Sequence, residues 1–385
     1  MKLFKLKTKT ERLNLLKEKV KPFADRAWEH DKEVTFPVEN IQDLKAIGYH
    51  TLTVPAQFGG LDISLLEFVQ LQEEIAKADG STALSIGWHM GIVKHLGEKR
   101  TWDAKMFQTF CEDVLQNEAL LNNAASESGT GSPTRGGRPE TKARKENDKW
   151  VISGTKTFTT MSPVLDYFVV SASIQGTEEI GNFLLPKGTR GLSINETWDS
   201  VAMRGTGSHD LVLEEAEAPL ENLVEYVVPG KKQVAGWLLH IPACYLGIAR
   251  AAQEEAITFA SSYSPNSIEG TIVDLPYVKQ KIGEMELYIQ QSQHFLYSVA
   301  TKWDESDDET RQTMGGELGA VKLSVVNHAI KVVDLAMRVT GARSLSEKNP
   351  LQRYYRDVRA GLHNPPMDDA TIVLLANNAI GKLKQ

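Results

Sequence analysis

Between Asn123 and Asp210 the chain carries three runs built from glycine, serine and threonine. They are Ser-Glu-Ser-Gly-Thr-Gly-Ser (126–132), Gly-Thr-Lys-Thr-Phe-Thr-Thr (154–160) and Met-Arg-Gly-Thr-Gly-Ser-His-Asp (203–210). No other feature of the sequence restricts the fold as strongly. Glycine lets backbone N–H groups turn toward one point and lets a ligand approach the main chain. Backbone concavities of this kind attract phosphates and other electron-rich groups. Short apolar segments lie around the runs: Trp150–Ile152, Tyr167–Val170, Phe183–Leu185 and Leu211–Leu213. They are rich in β-branched and aromatic residues and bounded by Gly, Ser and Asp, which is the pattern of strands. Residues 121–228 are therefore expected to form a β domain that presents polar loops to a ligand.

The flanking segments have a different period. Leu13, Leu15, Leu16, Val20 and Phe23, and again Leu65, Phe68, Val69, Leu71 and Ile75, recur at helical spacing, so residues 1–120 read as a helical domain. Over 229–385 long helices are predicted at Ala235–Tyr263, Pro276–Asp304 and Glu317–Arg338. Pro242 marks a first turn or a kink in the first of these. A last helix starts after Pro365-Pro366, where Asp368 and Asp369 complement the positive end of its dipole. The acidic stretch Asp304–Glu309 reads as a solvated turn. A chain of 385 residues is too long for one usual core, which agrees with three domains of an α+β protein.

Several functions lack support. A net charge of −7 offers no electrostatic footprint for nucleic acid. The basic N-terminus is not followed by an apolar signal core. No apolar run approaches the ~20 residues of a membrane span. Two cysteines, Cys111 and Cys244, are too few for a disulfide framework, so a reducing cytoplasm is expected. No His or Cys spacing suggests a metal site.

The three runs, in this order and spacing, resemble the middle domain of the acyl-CoA dehydrogenase superfamily of flavoproteins, whose patterns are T-E-x-x-x-G-S-D, G-x-K-x-[WF]-I-[TS] and M-R-x-T-x-S-x-D. Residues 49–61 are similar to its N-terminal signature, and Arg353-Tyr-Tyr-Arg-Asp357 to the arginine–aspartate motif of its last helices. The resemblance implies an N-terminal α-helical domain, a central β domain and a C-terminal four-helix bundle, and the long apolar faces of the 276–304 and 317–338 helices exceed what one four-helix core needs, so a homotetramer is expected. It also implies a flavin, FAD with FMN as the alternative. Ser126 stands where a hydroxyl bonds the flavin ring and Phe158 where an aromatic covers it. Thr160 stands where a hydroxyl or backbone N–H meets flavin N5, and Ser132 where a serine touches pyrophosphate or acyl-CoA. The family's Q-x-x-G-G segment corresponds to Arg338–Ala342, so Arg338 and Gly341 are implied phosphate contacts.

The departures are as informative. The arginine with which the family grips the FAD pyrophosphate has no counterpart in Ser264–Thr271, and Pro133 stands where the first run ends in Asp. The family's catalytic glutamate occupies one of two places, which here fall at Pro365 and near Trp237. His363, in His-Asn-Pro-Pro, instead resembles the two-component flavin monooxygenases of the dibenzothiophene-monooxygenase type. That branch also has a histidine in an early helix, an Asn before the first run and a hydroxyl after K-x-F. His89, Asn123 and Thr160, or Ser162 in place of Thr160, stand at comparable places.

The resemblance thus implies His363 as the catalytic residue. The flavin would be held by Asn123, Ser126, Ser132, Phe158, Thr160, Arg338 and Gly341, and the substrate by His89, Ser132 and His240. The first functional reading is α,β-dehydrogenation of an acyl-CoA thioester, with electrons passed to a carrier flavoprotein. The alternative is a monooxygenase fed by a separate flavin reductase, and a third is a non-catalytic acyl- or flavin-binding scaffold.

Overall fold

The computed structural model describes residues 1–130, 137–228 and 234–383. Six helices come first: α1 (Lys9–Val20), α2 (Phe23–Glu33), α3 (Val38–Ala46), α4 (Leu65–Ala78), α5 (Gly80–Lys99) and α6 (Ala104–Asn117). Their starts are set by local chemistry. Thr8 and Glu11 close a reciprocal capping box at α1, and the Asp79 carboxylate accepts from Ser81 N and Thr82 N at α5. Helices α4 and α5 carry much of the buried surface, including Leu65, Phe68, Ile75, Ile86 and Met90.

The middle of the chain is a sheet of eight strands: β1 (Leu121–Ala124), β2 (Lys142–Glu146), β3 (Lys149–Thr159), β4 (Tyr167–Ile174), β5 (Ile180–Pro186), β6 (Leu192–Asn195), β7 (His209–Pro219) and β8 (Leu223–Val227). The order across the sheet is β6-β7-β3-β2-β4-β5-β8, with β1 alongside β4. The β1–β4 and β2–β4 pairs are parallel and the others antiparallel. All four predicted apolar segments lie inside strands. The long β3–β7 ladder is broken by a register shift between Lys156 and Thr159, which lifts Phe158 out of the pairing.

The C-terminal part returns to helices: α7 (His240–Ser262), α8 (Pro276–Glu305), α9 (Asp308–Thr313), α10 (Gly315–Thr340), α11 (Pro350–Ala360) and α12 (Asp368–Lys382). Pro242 falls in the first turn of α7, where its missing N–H costs nothing. Helix α7 lies so close to α4 that a Cβ on Gly247 would overlap the Glu73 carbonyl oxygen. The acidic stretch that runs from the last turn of α8 into α9 is more than a solvated turn. Asp304 accepts from Leu65 N and Leu66 N at 2.7 and 2.9 Å and so caps α4 from 239 residues away. Asp307 caps the short α9. Both cysteines are buried free thiols. Among the described residues no helix is long and apolar enough to cross a membrane, and no cluster of His, Cys, Asp or Glu is arranged to hold a metal.

Candidate active site

The three polar runs converge. Thr157 N donates to Ser126 O at 2.9 Å, joining the first run to the second. Met161 N donates to Thr206 O at 2.9 Å and Ser162 Oγ to Gly207 O at 2.8 Å, joining the second to the third. Asn122 Nδ2 donates to Thr160 O at 2.9 Å, and its own Oδ1 accepts Asn123 N. The outcome is one continuous rim along β1, the end of β3 and the start of β7.

The rim stores backbone strain. Phe158 (φ 57°), Met161 (φ 67°) and Met203 (φ 52°) all occupy the left-handed region without being glycine. Such conformations cost about 1–3 kcal/mol each and cluster at ligand-binding sites. Phe158 is 65% exposed, an uncommon state for so large an apolar ring, and among the described residues its ring partner is Trp198 at 6.0 Å, edge-on. Two aromatic rings therefore stand at the rim where the resemblance implies a flavin. Thr160 presents its hydroxyl beside Ser208 at 2.9 Å, but its backbone N–H is committed to Phe158 O. Ser126 is partly exposed and Asn123 exposed on the same edge. Ser132 and Pro133 lie outside the described residues.

Beneath the rim, Glu127 is a structural anchor. Its Oε1 accepts from Lys156 Nζ at 2.6 Å, Thr141 Oγ1 at 2.6 Å and Thr141 N at 3.0 Å. Its Oε2 accepts from Glu140 N at 2.6 Å and Thr130 Oγ1 at 3.1 Å. Burial disfavours the charge, yet these donors outweigh it and hold the carboxyl at about 2. The pair with Lys156 is sealed from solvent.

The arginine–aspartate motif on α11 clamps the rim from the other side. Asp357 accepts from Met203 N at 2.6 Å, while Arg356 reaches both Asp31 oxygens on α2 and the Val201 carbonyl. Arg204 in turn donates to Asp31 O. One helix of the C-terminal domain thus fixes the third run against the N-terminal domain.

The predicted substrate histidines are placed differently from an open pocket. His89 is fully buried, with Nε2 bonded to His50 O at 3.1 Å and Nδ1 accepting Leu121 N at 3.2 Å. One ring nitrogen ties α5 to the turn at His50 and the other ties it to β1, so His89 has no nitrogen left for a substrate. His240 is equally buried, stacked on Trp237 and edge-on to Trp88. Its Nδ1 donates to Trp237 O at 3.0 Å, and among the described residues its Nε2 has no partner. Burial pushes both rings down to about 4, so both are neutral at pH 7.

His363 is exposed in the turn between α11 and α12, beside Asn364, whose Oδ1 accepts the Tyr245 hydroxyl. Arg338 and Gly341 meet in a shallow depression with Asp334, Met337 and Tyr355, to which no rim residue contributes. Of the carboxylates near the two expected base positions, Asp368 is bonded to Lys322 Nζ and Asn327 Nδ2, each at 3.0 Å. Residue patterns alone passed over Trp198, Thr206, Ser208 and Asn122. Thr206 and Ser208 carried a signal, since they are the hydroxyls of the third run.

An α–β–α protein with a strained polar rim beside an exposed phenylalanine and a partly buried tryptophan is the class that the fold and the site define. Comparison with known proteins agrees. Three family models match in order: acyl-CoA dehydrogenase N-terminal domain over residues 9–99, middle domain over 122–216 and C-terminal domain over 239–364. The putative acyl-CoA dehydrogenase YdbM of Bacillus subtilis (strain 168) is 52% identical over 358 residues, covering 93% of each chain. The chain therefore belongs to the acyl-CoA dehydrogenase superfamily of flavoenzymes. Among solved structures, TdsC from Paenibacillus sp. A11-2 in complex with FMN and indole has a TM-score of 0.85 at 24% identity, covering 95% of this chain and 96% of that one. Butyryl-CoA dehydrogenase from Megasphaera elsdenii has a TM-score of 0.83 at 19% identity, covering 96% and 98%. At these identities the likeness is one of fold.

Proposed function

We propose that this chain is a monooxygenase of the superfamily that uses reduced flavin supplied by a separate reductase. One oxygen atom of O2 enters an organic substrate, the other leaves as water, and the reduced flavin supplies the two electrons. The observation that carries the reading is that neither position implied for the family's catalytic carboxylate holds one. Dehydrogenation of a thioester needs a base for the α-proton, and the two positions implied for it are Trp237 and Pro365. Asp368 is held in its bonds to Lys322 and Asn327, and His240, at about 4, is too weak a base to collect a proton near neutral pH. The rim instead offers hydroxyls and an amide, which suit hydrogen bonding to a flavin rather than proton abstraction.

The flavin would rest against Ser126, Phe158 and Thr160, and FMN suits the site better than FAD because the pyrophosphate arginine is missing. His363 is assigned to the reacting side of the ring. The name of the Bacillus subtilis relative favours a second reading, dehydrogenation of an acyl-CoA with electrons leaving to a carrier flavoprotein. Assembly into a homotetramer is supported by α12, where Ile372, Val373, Leu374 and Ile380 are exposed in one protomer.

Anaerobic mixing of the flavin-loaded protein with a panel of acyl-CoA thioesters separates the readings. No bleaching of the flavin by any thioester is expected, together with reoxidation of bound reduced FMN by O2 at a rate different from that of free FMN. Rapid bleaching by one thioester would overturn the monooxygenase reading.

A further inference from the structure

Charge is placed unevenly along this chain. Residues 1–21 hold seven lysines and Arg12 against Glu11 and Glu18, a net +6. The whole chain carries −7, so the remainder carries −13. An asymmetry of this size gives the molecule a basic end that an anionic surface turns toward itself.

The structure fixes this segment in place. Leu3 is fully buried and its N–H donates to Ile47 O at 2.7 Å, which pins the short turn Leu3–Lys5. The capping box of Thr8 and Glu11 then sets the start of α1. Helix α1 buries Arg12, Leu16 and Val20 on one side, and Arg12 is neutralised there by Glu67. Outside these anchors Lys5, Lys7, Lys9, Lys17, Lys19 and Lys21 are exposed. Phe4 is 45% exposed among the first of them, its ring resting on Gly48. Few of the lysines are met by carboxylates. Glu11 turns its Oε2 to the Lys7 and Thr8 amides, and Glu18 pairs with Lys21. Lys2 and Lys17 have only the distant Glu118 and Glu74, at 3.6 and 3.9 Å. Among the described residues Lys5 and Lys7, which flank Phe4 and follow it closely, form no ion pair.

We propose that this segment docks the protein on an anionic lipid surface, with Lys5 and Lys7 supplying the attraction and Phe4 entering the headgroup layer. An exposed phenylalanine held beside unpaired lysines suits the boundary between headgroups and acyl chains, where charge and an apolar layer lie side by side. The phosphate backbone of a duplex nucleic acid offers the ring no such layer. The contact is peripheral, so it needs no spanning helix. It is also independent of which reaction the rim supports.

Cosedimentation of the full chain tests this with vesicles of phosphatidylcholine alone or with about one-third phosphatidylglycerol. Binding to the anionic vesicles alone is expected, and it should fall steeply as NaCl rises from about 0.1 to about 0.5 M. Lys5→Gln with Lys7→Gln should weaken it about 25-fold, at about fivefold per lysine near an anionic surface. Phe4→Ser should weaken it about fivefold, the worth of burying the exposed part of the ring. Lys145→Gln with Lys348→Gln changes the net charge equally at exposed sites elsewhere and should bind as wild type does. Circular dichroism checks that each variant is folded. Absent binding, equal binding to neutral vesicles, or equal losses in the two double variants would overturn the proposal. So would a Phe4→Ser protein that binds as wild type, or tighter binding to duplex DNA than to the vesicles.

Discussion

Replacing Lys156 with methionine tests the anchor beneath the rim. The substitution keeps the length and the apolar stem of the side chain but removes the charge paired with Glu127 inside a sealed pocket. Removing one member of a buried pair costs about 3–5 kcal/mol. Four other hydrogen bonds to Glu127 survive, so the lower end, about 3 kcal/mol, is expected at pH 7. The whole donor set around Glu127, of which Lys156 is one member, sets the pH dependence. A carboxyl held at about 2 against an ordinary 4.5 contributes about 3 kcal/mol wherever it is ionised in both states. Because the folded value is the lower one, that stability is complete above pH 4.5 and drains away as the pH falls from 4.5 toward 2. Urea unfolding followed by tryptophan fluorescence should show the loss in Lys156→Met and an acid limb that begins at higher pH than in wild type. Glu127→Gln combined with Lys156→Met should recover about 2 kcal/mol relative to the sum of the single changes, since neither charge is then stranded. A Lys156→Met protein within about 0.5 kcal/mol of wild type, or strict additivity of the pair, would refute the reasoning.

Three further outcomes follow from the packing and the site. Gly247→Ala should lower stability by about 3 kcal/mol, because its methyl would meet the α4 backbone, which cannot move aside as a side chain can; a thermal melt reads this. His363→Ala should fold and bind flavin normally, since the residue is exposed, yet lose about 10²-fold in turnover on a substrate identified by screening; full activity would make it a bystander. Ile372→Glu with Val373→Glu should shift the sedimentation coefficient toward that of a smaller species, while two wild-type-like boundaries would free α12 of any role in assembly.

The architecture was legible because its signals are local. Helical spacing in α4 and α8, proline at the starts of α7 and α8, and short β-branched segments between polar runs each act over a few residues. Of the polar runs, the third is a loop up to Ser208 as its residues predict, whereas the second, read as a loop, lies inside β3 up to Thr159. What stayed hidden depends on partners far away in the chain. Asp304 looked like one member of a solvated acidic run because its true partners, the first amides of α4, lie 239 residues earlier. His89 looked like a ligand contact because a histidine in an early helix carries no mark of the carbonyl and amide that occupy its nitrogens. The clamp on the third run was equally unreadable, since Met203 N meets an aspartate carried by α11.

That dependence has a consequence for how the protein is made. The Met203 anchor is completed by an aspartate that the ribosome delivers 154 residues later. Domains generally fold in the order of their synthesis. Here the sheet can form its ladders early, yet the strained corner at Met203 has nothing to hold it until α11 has emerged and docked on α2. The binding rim is thus assembled last, as a joint product of all three domains, and a middle domain produced alone would carry an unset rim on an otherwise native sheet.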